Sequence, residues 1–472
     1  MKRISPAVII AVFILGPLAG NSPELNAQQT GILGNTTPPL ESLAAFARET
    51  PGIEPGAFAL SPGESLRLSK ARVGERLTLP SVDQYLLPIG QLEEEPLQFR
   101  RVELFAPGAR VMVLGPEGTI EWQQDARQFY VAANQTTGVG LAVDVASGEI
   151  SGFAIKGDSR LRLDGQLGVG VELQAVETSP DQVNSCGTSL EDQAPQSLAH
   201  LNSPMPESVS SAPPGTTISF QTVVAVDTDT EWMAGKGNDP TIATTWITDT
   251  FLAMNVFYER DVETHLLIGD IILRVGSDPY SVATNRSNQM DEFAEYWRLN
   301  MSATSRDFAT LFSGRDIGSN SFSGIAWINQ FCKKGSLQGQ RTVGSYSFNA
   351  IGTNRTPANT ALYIGHELGH NMGSPHTHCY SPTIDQCYNG ESGCYSGSLS
   401  CPAGGKGTIM SYCHVAGSNG AGCGTNKLEF HARVQTLMEG LLAANSPSCI
   451  EAYEAPPDPE EIPIFKNDFE SP

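Results

Sequence analysis

The chain has 472 residues, with 29 Lys and Arg against 51 Asp and Glu, a formal charge of −22. That balance excludes a nucleic-acid binder, which needs a basic footprint, and it excludes an anionic membrane surface as a partner. With 40% hydrophobic and only 17% charged residues the chain is no disordered acidic polymer, and its length suits about two to three domains with real cores.

In chain order, Lys2 and Arg3 precede an apolar run from Ala7 to Leu18, shorter than the ~20 residues of a membrane span. It reads as a signal peptide over residues 1–27, so the mature protein is expected to be secreted, extracellular or periplasmic, and free of the membrane. Residues 28–200 then open on short strands punctuated by Gly, Asp and Asn: Arg110–Leu114, Gln128–Ala132, Gly140–Val145, Glu149–Ala154 and Val169–Ala175. This predicts a small antiparallel β domain. It holds no catalytic constellation, since no His precedes His200 and no Cys precedes Cys186.

From Glu177 to Gly215 the composition turns to Ser, Pro, Asn and Gln, and residues 201–216 are read as a linker. Beyond it, Ile218, Phe220, Thr222, Val224 and Val226 alternate as a half-buried strand does. Asp239-Pro240 opens a helix with Ala243, Trp246, Ile247, Phe251, Met254 and Tyr258 on one face. Next come a strand at His265–Val275, a helix at Asp291–Met301, strands at Phe308–Phe312, Gly324–Ile328 and Thr342–Phe348, and helices at Asn359–Met372 and Leu428–Ala444. Strands alternating with helices over residues 217–450 predict an α/β or α+β domain. Residues 451–472 form an acidic, Pro-rich tail.

Eight of the nine cysteines lie between Cys332 and Cys449, an even number that fits four disulfides in one exported domain, and Cys186 is left over. The chemistry centres on His366-Glu367-Leu368-Gly369-His370-Asn371-Met372-Gly373-Ser374-Pro375-His376. Helical residues four apart lie about 40° apart around the axis and ~6 Å along it, so His366 and His370 can share one zinc ion. Glu367 stands where its carboxylate reaches a water on that ion. Gly373 is free to take a positive φ and bend the chain, which lets His376 return as third ligand. Three neutral imidazoles leave a fourth position open, a catalytic rather than a structural coordination.

These residues resemble the signature of the metzincin metallopeptidases, HExxHxxGxxH followed by a methionine-containing turn, and Thr408-Ile409-Met410-Ser411-Tyr412 is the matching turn. The stretch from Arg306 to Gly314, through Gly324-Ile325-Ala326-Trp327 to Cys332, is similar to the adamalysin or reprolysin branch, in bacterial form. The resemblance implies a twisted mixed β-sheet with an active-site helix and a C-terminal subdomain. It implies Met410 beneath the zinc histidines, an edge strand that pairs with extended substrate, and a Cys332–Cys449 disulfide. The other six cysteines cannot be paired from sequence.

Two features depart from the branch. Thr377 follows His376 where adamalysins place Asp, and Tyr412 two residues after the Met is similar to astacins and serralysins, where such a tyrosine binds zinc at rest and later stabilises the tetrahedral intermediate. Tyr412 is read as either that group or a buried structural tyrosine. His378 and His414 are expected on the surface or behind the ligands. Asn184-Ser185-Cys186-Gly187 resembles the cysteine-switch segment of propeptides, whose thiolate closes the open zinc position.

The reading is therefore an α+β metzincin domain behind a β-rich propeptide: a secreted zinc endopeptidase made as a zymogen, acting on proteins or peptides as a monomer. It needs one catalytic Zn2+, with Cys186 as a fourth ligand in the precursor; whether Ca2+ is also needed is left open. The rivals are a non-catalytic extracellular protein stabilised by zinc and a hydrolase of cell-wall cross-links. The sites Asn35, Asn134, Asn285, Asn300 and Asn354 matter only in a host that glycosylates.

Overall fold

The computed structural model describes residues 65–66, 99–134, 137–157, 159–166, 170–176, 186–190, 193, 217–282, 285–315, 324–352 and 355–455. The expected leader (1–27), the linker (201–216), the tail beyond residue 455, Asn35 and Asn354 lie outside these residues.

Before the linker, nine strands form among the described residues, in order: β1 (Ser65–Leu66), β2 (Arg100–Val102), β3 (Val111–Gly115), β4 (Gly118–Trp122), β5 (Gln128–Ala133), β6 (Thr137–Val143), β7 (Glu149–Lys156), β8 (Ser159–Gln166) and β9 (Gly170–Ala175). Seven of them make an antiparallel sheet in the order β1-β9-β8-β7-β6-β5-β2. The expected strands are all present. Strand β8 escaped the sequence reading: its apolar face is only Leu161 and Leu163, set between Arg160 and Asp164, and Arg160 on the opposite face is itself buried, its guanidinium bonded to the Asn426 carbonyl at 2.7 Å.

After the linker come β10 (Phe220–Thr228), α1 (Thr230–Ala234), α2 (Pro240–Val262), β11 (Thr264–Arg274), α3 (Arg286–Asn300), β12 (Phe308–Ser313), β13 (Gly324–Ala326), β14 (Ser336–Gln338), β15 (Arg341–Val343), β16 (Tyr346–Ala350) and α4 (Pro357–Asn371). The two-residue strands β17 (Ala416–Gly417) and β18 (Gly420–Ala421), α5 (Ala432–Asn445) and β19 (Glu451–Ala452) complete the chain. The second sheet runs β13-β16-β12-β10-β11-β3-β4, with β19 beside β10. Its centre is parallel, from β16 through β12 and β10 to β11. At one edge β13 is antiparallel. At the other, β3 from before the linker joins β11 in parallel, Ile271 opposite Val111.

A parallel sheet needs cover on both faces. One face packs on α2 and α4, where Val224, Val226, Phe251 and Leu368 share a core with Phe129 and Phe153 of the antiparallel sheet. The other packs Ala225, Ile272 and Leu311 against Phe293 and Trp297 of α3. Helix α2 starts where the sequence says: Asp239 accepts from the Thr241 amide at 2.8 Å, and Pro240 takes the first position, where a missing N–H costs nothing. The architecture is thus mixed α+β.

Three expectations need correction. The helix expected at Asp291–Met301 begins earlier, at Arg286, where Asn285 caps it by accepting the Asn288 amide at 2.8 Å. The single strand Thr342–Phe348 is two, because Ser345 turns aside to give both its amide (3.0 Å) and its hydroxyl (2.9 Å) to the Lys333 carbonyl. The last helix starts at Ala432 rather than Leu428, since the Glu429 carbonyl and the Phe430 amide are committed to Ile409 and Asp261, and His431 caps the helix.

Candidate metal centre

Helix α4 is capped by Thr356, carries His366, Glu367 and His370 in its last two turns, and stops at Gly373, whose φ of 106° no side-chain-bearing residue adopts cheaply. The chain then returns His376 towards the helix. Below it lies Met410, fully buried. A Cβ on Gly369 would stand 2.6 Å from the Met410 sulfur, so the absence of a side chain there lets the turn approach the helix. The Met410 carbonyl accepts the Thr377 amide at 3.0 Å and fixes the segment that follows His376.

The histidine tautomers follow from their partners. His366 Nδ1 lies 2.7 Å from the Ile409 carbonyl, His370 Nδ1 2.7 Å from the Ser374 carbonyl, and His376 Nδ1 2.8 Å from a Glu391 carboxylate oxygen. Carbonyls and carboxylates only accept, so each Nδ1 carries the proton and each Nε2 is a bare lone pair. Yet the Nε2 atoms of His370 and His376 face each other at 3.2 Å, and that of His366 is buried with no partner. Facing lone pairs repel, and burial without a partner is costly. A cation between the three nitrogens resolves both, and these ligand atoms together with Cys186 Sγ lie within 4.8 Å of one another. The donor set suits a borderline-soft divalent ion held by imidazole and thiolate. Burial and the neighbouring histidine hold His366 down to about 3, and they hold His370 well below the ordinary range, so both stay neutral and able to ligate near neutral pH.

Glu367 is buried beside this triad, and burial pushes its carboxyl up to about 8. A Cβ on Gly324, at the start of edge strand β13, would stand 2.6 Å from the Glu367 carboxyl carbon, so only glycine fits there. Cys186 is the free cysteine among the described residues. Its sulfur is 3.2 Å from Glu367 and 3.5 Å from His370 Nε2, and burial raises its thiol well above the ordinary value.

The segment carrying Cys186 lies along the edge strand. Cys186 pairs with Gly324 in parallel, and the Gly187 amide donates to the Gly324 carbonyl at 2.7 Å. Thr188 Oγ1 accepts the Ala326 amide (2.9 Å) and donates to its carbonyl (3.1 Å), while Gln193 accepts the Ile328 amide at 2.7 Å. Tyr412 donates its hydroxyl to the Cys186 carbonyl, with its ring 4.3 Å from that of His376.

His378 is buried, not on the surface; it stacks on His376 at 5.3 Å and donates to Glu391 at 2.9 Å. His414 is half-buried beside Asn426 at 3.1 Å. Glu391, whose carboxyl the two histidines hold well below the usual range against the effect of burial, went unnoticed in the sequence. It sits in a Gly- and Ser-rich stretch without periodicity, and the one available signal was its place between Cys387 and Cys394. Cys332 pairs with Cys449 as the resemblance implied; the others pair as Cys379–Cys394, Cys387–Cys413 and Cys401–Cys423.

The family model that matches the chain is described as metallo-peptidase family M12 and covers residues 220–421. No curated protein matches. Among solved structures, a metalloproteinase-II from Bacteroides fragilis is 10% identical with a TM-score of 0.34, over 75% of this chain and 89% of that one. A chaperone-substrate complex is 11% identical with a TM-score of 0.28, over 61% and 39%.

Proposed function

Residues 220–421 are a metallo-peptidase domain of family M12, of the metzincin type, and on that premise we propose that the chain is a secreted zinc endopeptidase made in latent form. The observation that carries the reading is the set of three Nε2 lone pairs that only a cation reconciles, with Glu367 beside them. In this reading residues 1–27 direct export, residues 28–200 confer latency, residues 217–450 do the chemistry on protein substrates, and the protein acts as a monomer. Among the described residues no helix is long and apolar enough to cross a membrane.

His366, His370 and His376 hold the ion, which when bound supplies Lewis acidity to a water and to the scissile carbonyl. Glu367 accepts the proton of the attacking water and hands it to the leaving amine, a role its buried carboxyl beside the three histidines is placed to play. Tyr412 already donates to the backbone carbonyl of a chain lying in the cleft, the contact a donor to the developing oxyanion makes. In the precursor, Cys186 would hold the ion together with the three histidines, and Thr188 and Gln193 take the edge-strand groups that an extended substrate would use.

The test is cleavage of an unstructured protein such as casein by processed material. Glu367→Ala is expected to lower the rate by roughly 10²–10⁴-fold with zinc retained. Equal cleavage by both would trace the activity to a contaminant. Inactivity of both, with zinc bound and the latency segment removed, would favour a non-catalytic zinc protein. In the same assay Tyr412→Phe is expected to lose roughly a hundredfold in turnover, and an unchanged rate removes its role. Cys186→Ala is expected to make the uncleaved precursor active; if it stays as latent as wild type, Cys186 is no switch.

A further inference from the structure

Glu391 lies outside the zinc motif, yet its side chain is only 7% exposed and meets three groups from two parts of the chain. One oxygen, Oε2, receives both His376 Nδ1–H at 2.8 Å and His378 Nε2–H at 2.9 Å. The two imidazoles lie 9° from parallel with their centres 5.3 Å apart, so a single oxygen fastens them as a stacked pair. The other oxygen, Oε1, receives the backbone N–H of Leu190 at 3.2 Å. Leu190 follows Cys186 on the segment that lies along β13.

His366 and His370 are oriented by backbone carbonyls, groups that no substitution removes, whereas His376 depends on this one side chain. His376 is also the ligand set off the helix, on an irregular return where no helical hydrogen bonding fixes its direction. A carboxylate behind a ligating imidazole sets its tautomer and direction and raises its basicity. The geometry points to Glu391 as the positioning residue of this centre, which aims His376 at the ion through Oε2 while its Oε1 docks the backbone of the chain in the cleft.

This rests on the zinc reading above. It differs from a loop staple in one respect: a staple needs hydrogen bonds but leaves the ligand field of the ion alone. The two oxygens also have separable consequences. Glu391→Gln preserves shape and one carbonyl oxygen, which can still accept from both imidazoles, but it then sets an NH₂ against the Leu190 N–H, donor against donor. Glu391→Ala removes both contacts.

The experiment uses the full-length chain. Zinc affinity is measured by competition with a chelator, the ligand field by the d–d absorption of the cobalt(II)-substituted protein, and segment docking by the alkylation rate of Cys186 in the zinc-loaded protein. Glu391→Ala is expected to weaken zinc roughly ten- to a hundredfold and to shift the cobalt bands. Glu391→Gln is expected to weaken zinc less, by a few-fold, and to speed Cys186 alkylation up to roughly tenfold. Unchanged affinity and unchanged cobalt spectra overturn the positioning role, and Glu391→Gln alone decides it should the alanine variant not fold. Alkylation of Glu391→Gln at the wild-type rate overturns the docking role. Stoichiometric zinc in wild type that is lost in His366→Ala shows the zinc reading standing even where Glu391 fails; a wild-type chain that takes up no zinc overturns both.

Discussion

The two halves of the catalytic region are built on different principles. From β10 to α4 the chain is strands and helices, tied by sheet ladders and by apolar side chains packed on both sheet faces. From Met372 to Phe430 the described chain has one three-residue 3₁₀ turn and two two-residue strands, and three disulfides fall wholly inside it. The proposed ligands come from both: His366 and His370 from the helix that ends the first half, His376 from the start of the second. On that proposal the first half would set where an ion sits, and the second how tightly the last ligand is held. Loss of stability in one half should therefore not resemble loss in the other.

The largest effect is expected in the first half. Asp227 is fully buried and accepts Arg274 through both oxygens (2.8 Å each), the Tyr280 hydroxyl at 2.6 Å and the Trp297 indole N–H at 2.7 Å. Asp227→Ala strands a buried guanidinium and two further donors, and should cost about 3–5 kcal/mol. Urea unfolding should show one cooperative transition moved down, with zinc and sheet signal lost together. Next comes Cys387→Ala with Cys413→Ala, which cuts the link between the Met410 turn and the loop of Glu391. The global cost should be about 2–5 kcal/mol. Here zinc affinity should fall while far-UV circular dichroism of the sheets persists. If zinc and sheet signal disappear together in this variant too, the two halves are one cooperative unit and the contrast is wrong.

The same contrast explains what could be read in the sequence. Helix α2 announced its start through Asp239-Pro240, and α4 announced its chemistry through the spacing of His366, Glu367 and His370, because regular elements impose regular spacings. Three kinds of feature stayed hidden. Strand β8 alternates only two buried leucines, Leu161 and Leu163, with charged residues, and the buried Arg160 among them is satisfied by a carbonyl 266 residues away. Edge strand β4 has no fully buried position to leave a pattern. Glu391 and the pairing of the six cysteines from Cys379 to Cys423 depend on how an aperiodic segment folds back on itself, and no local spacing records that. That β3 completes the second sheet from before the linker was equally invisible, since a strand does not show which sheet it will join.

The last effect concerns pH, where two groups of the first half, His366 on α4 and Asp307 before β12, are expected to give opposite slopes. In the metal-free chain His366 titrates at about 3 against 6.5 when unfolded, so between those values the unfolded chain binds more protons and stability rises with pH. Asp307 goes the other way. It lies against Cys332 at the root of the first half, accepts the Val223 amide at 2.7 Å, and is pushed by burial, with Glu451 nearby, up to about 7. Its folded form keeps the proton, so its contribution is complete below about 4 and is lost as pH rises through 7. Asp307→Asn keeps an acceptor for Val223 and removes the titration. Its urea midpoint should match wild type at pH 4 and exceed it at pH 8, by up to about 4 kcal/mol in stability. Equal midpoints at pH 8 would mean that Asp307 ionises in place without cost. The acid loss should remain in Asp307→Asn, because it belongs to the histidines, and added zinc should suppress it by favouring the neutral imidazoles.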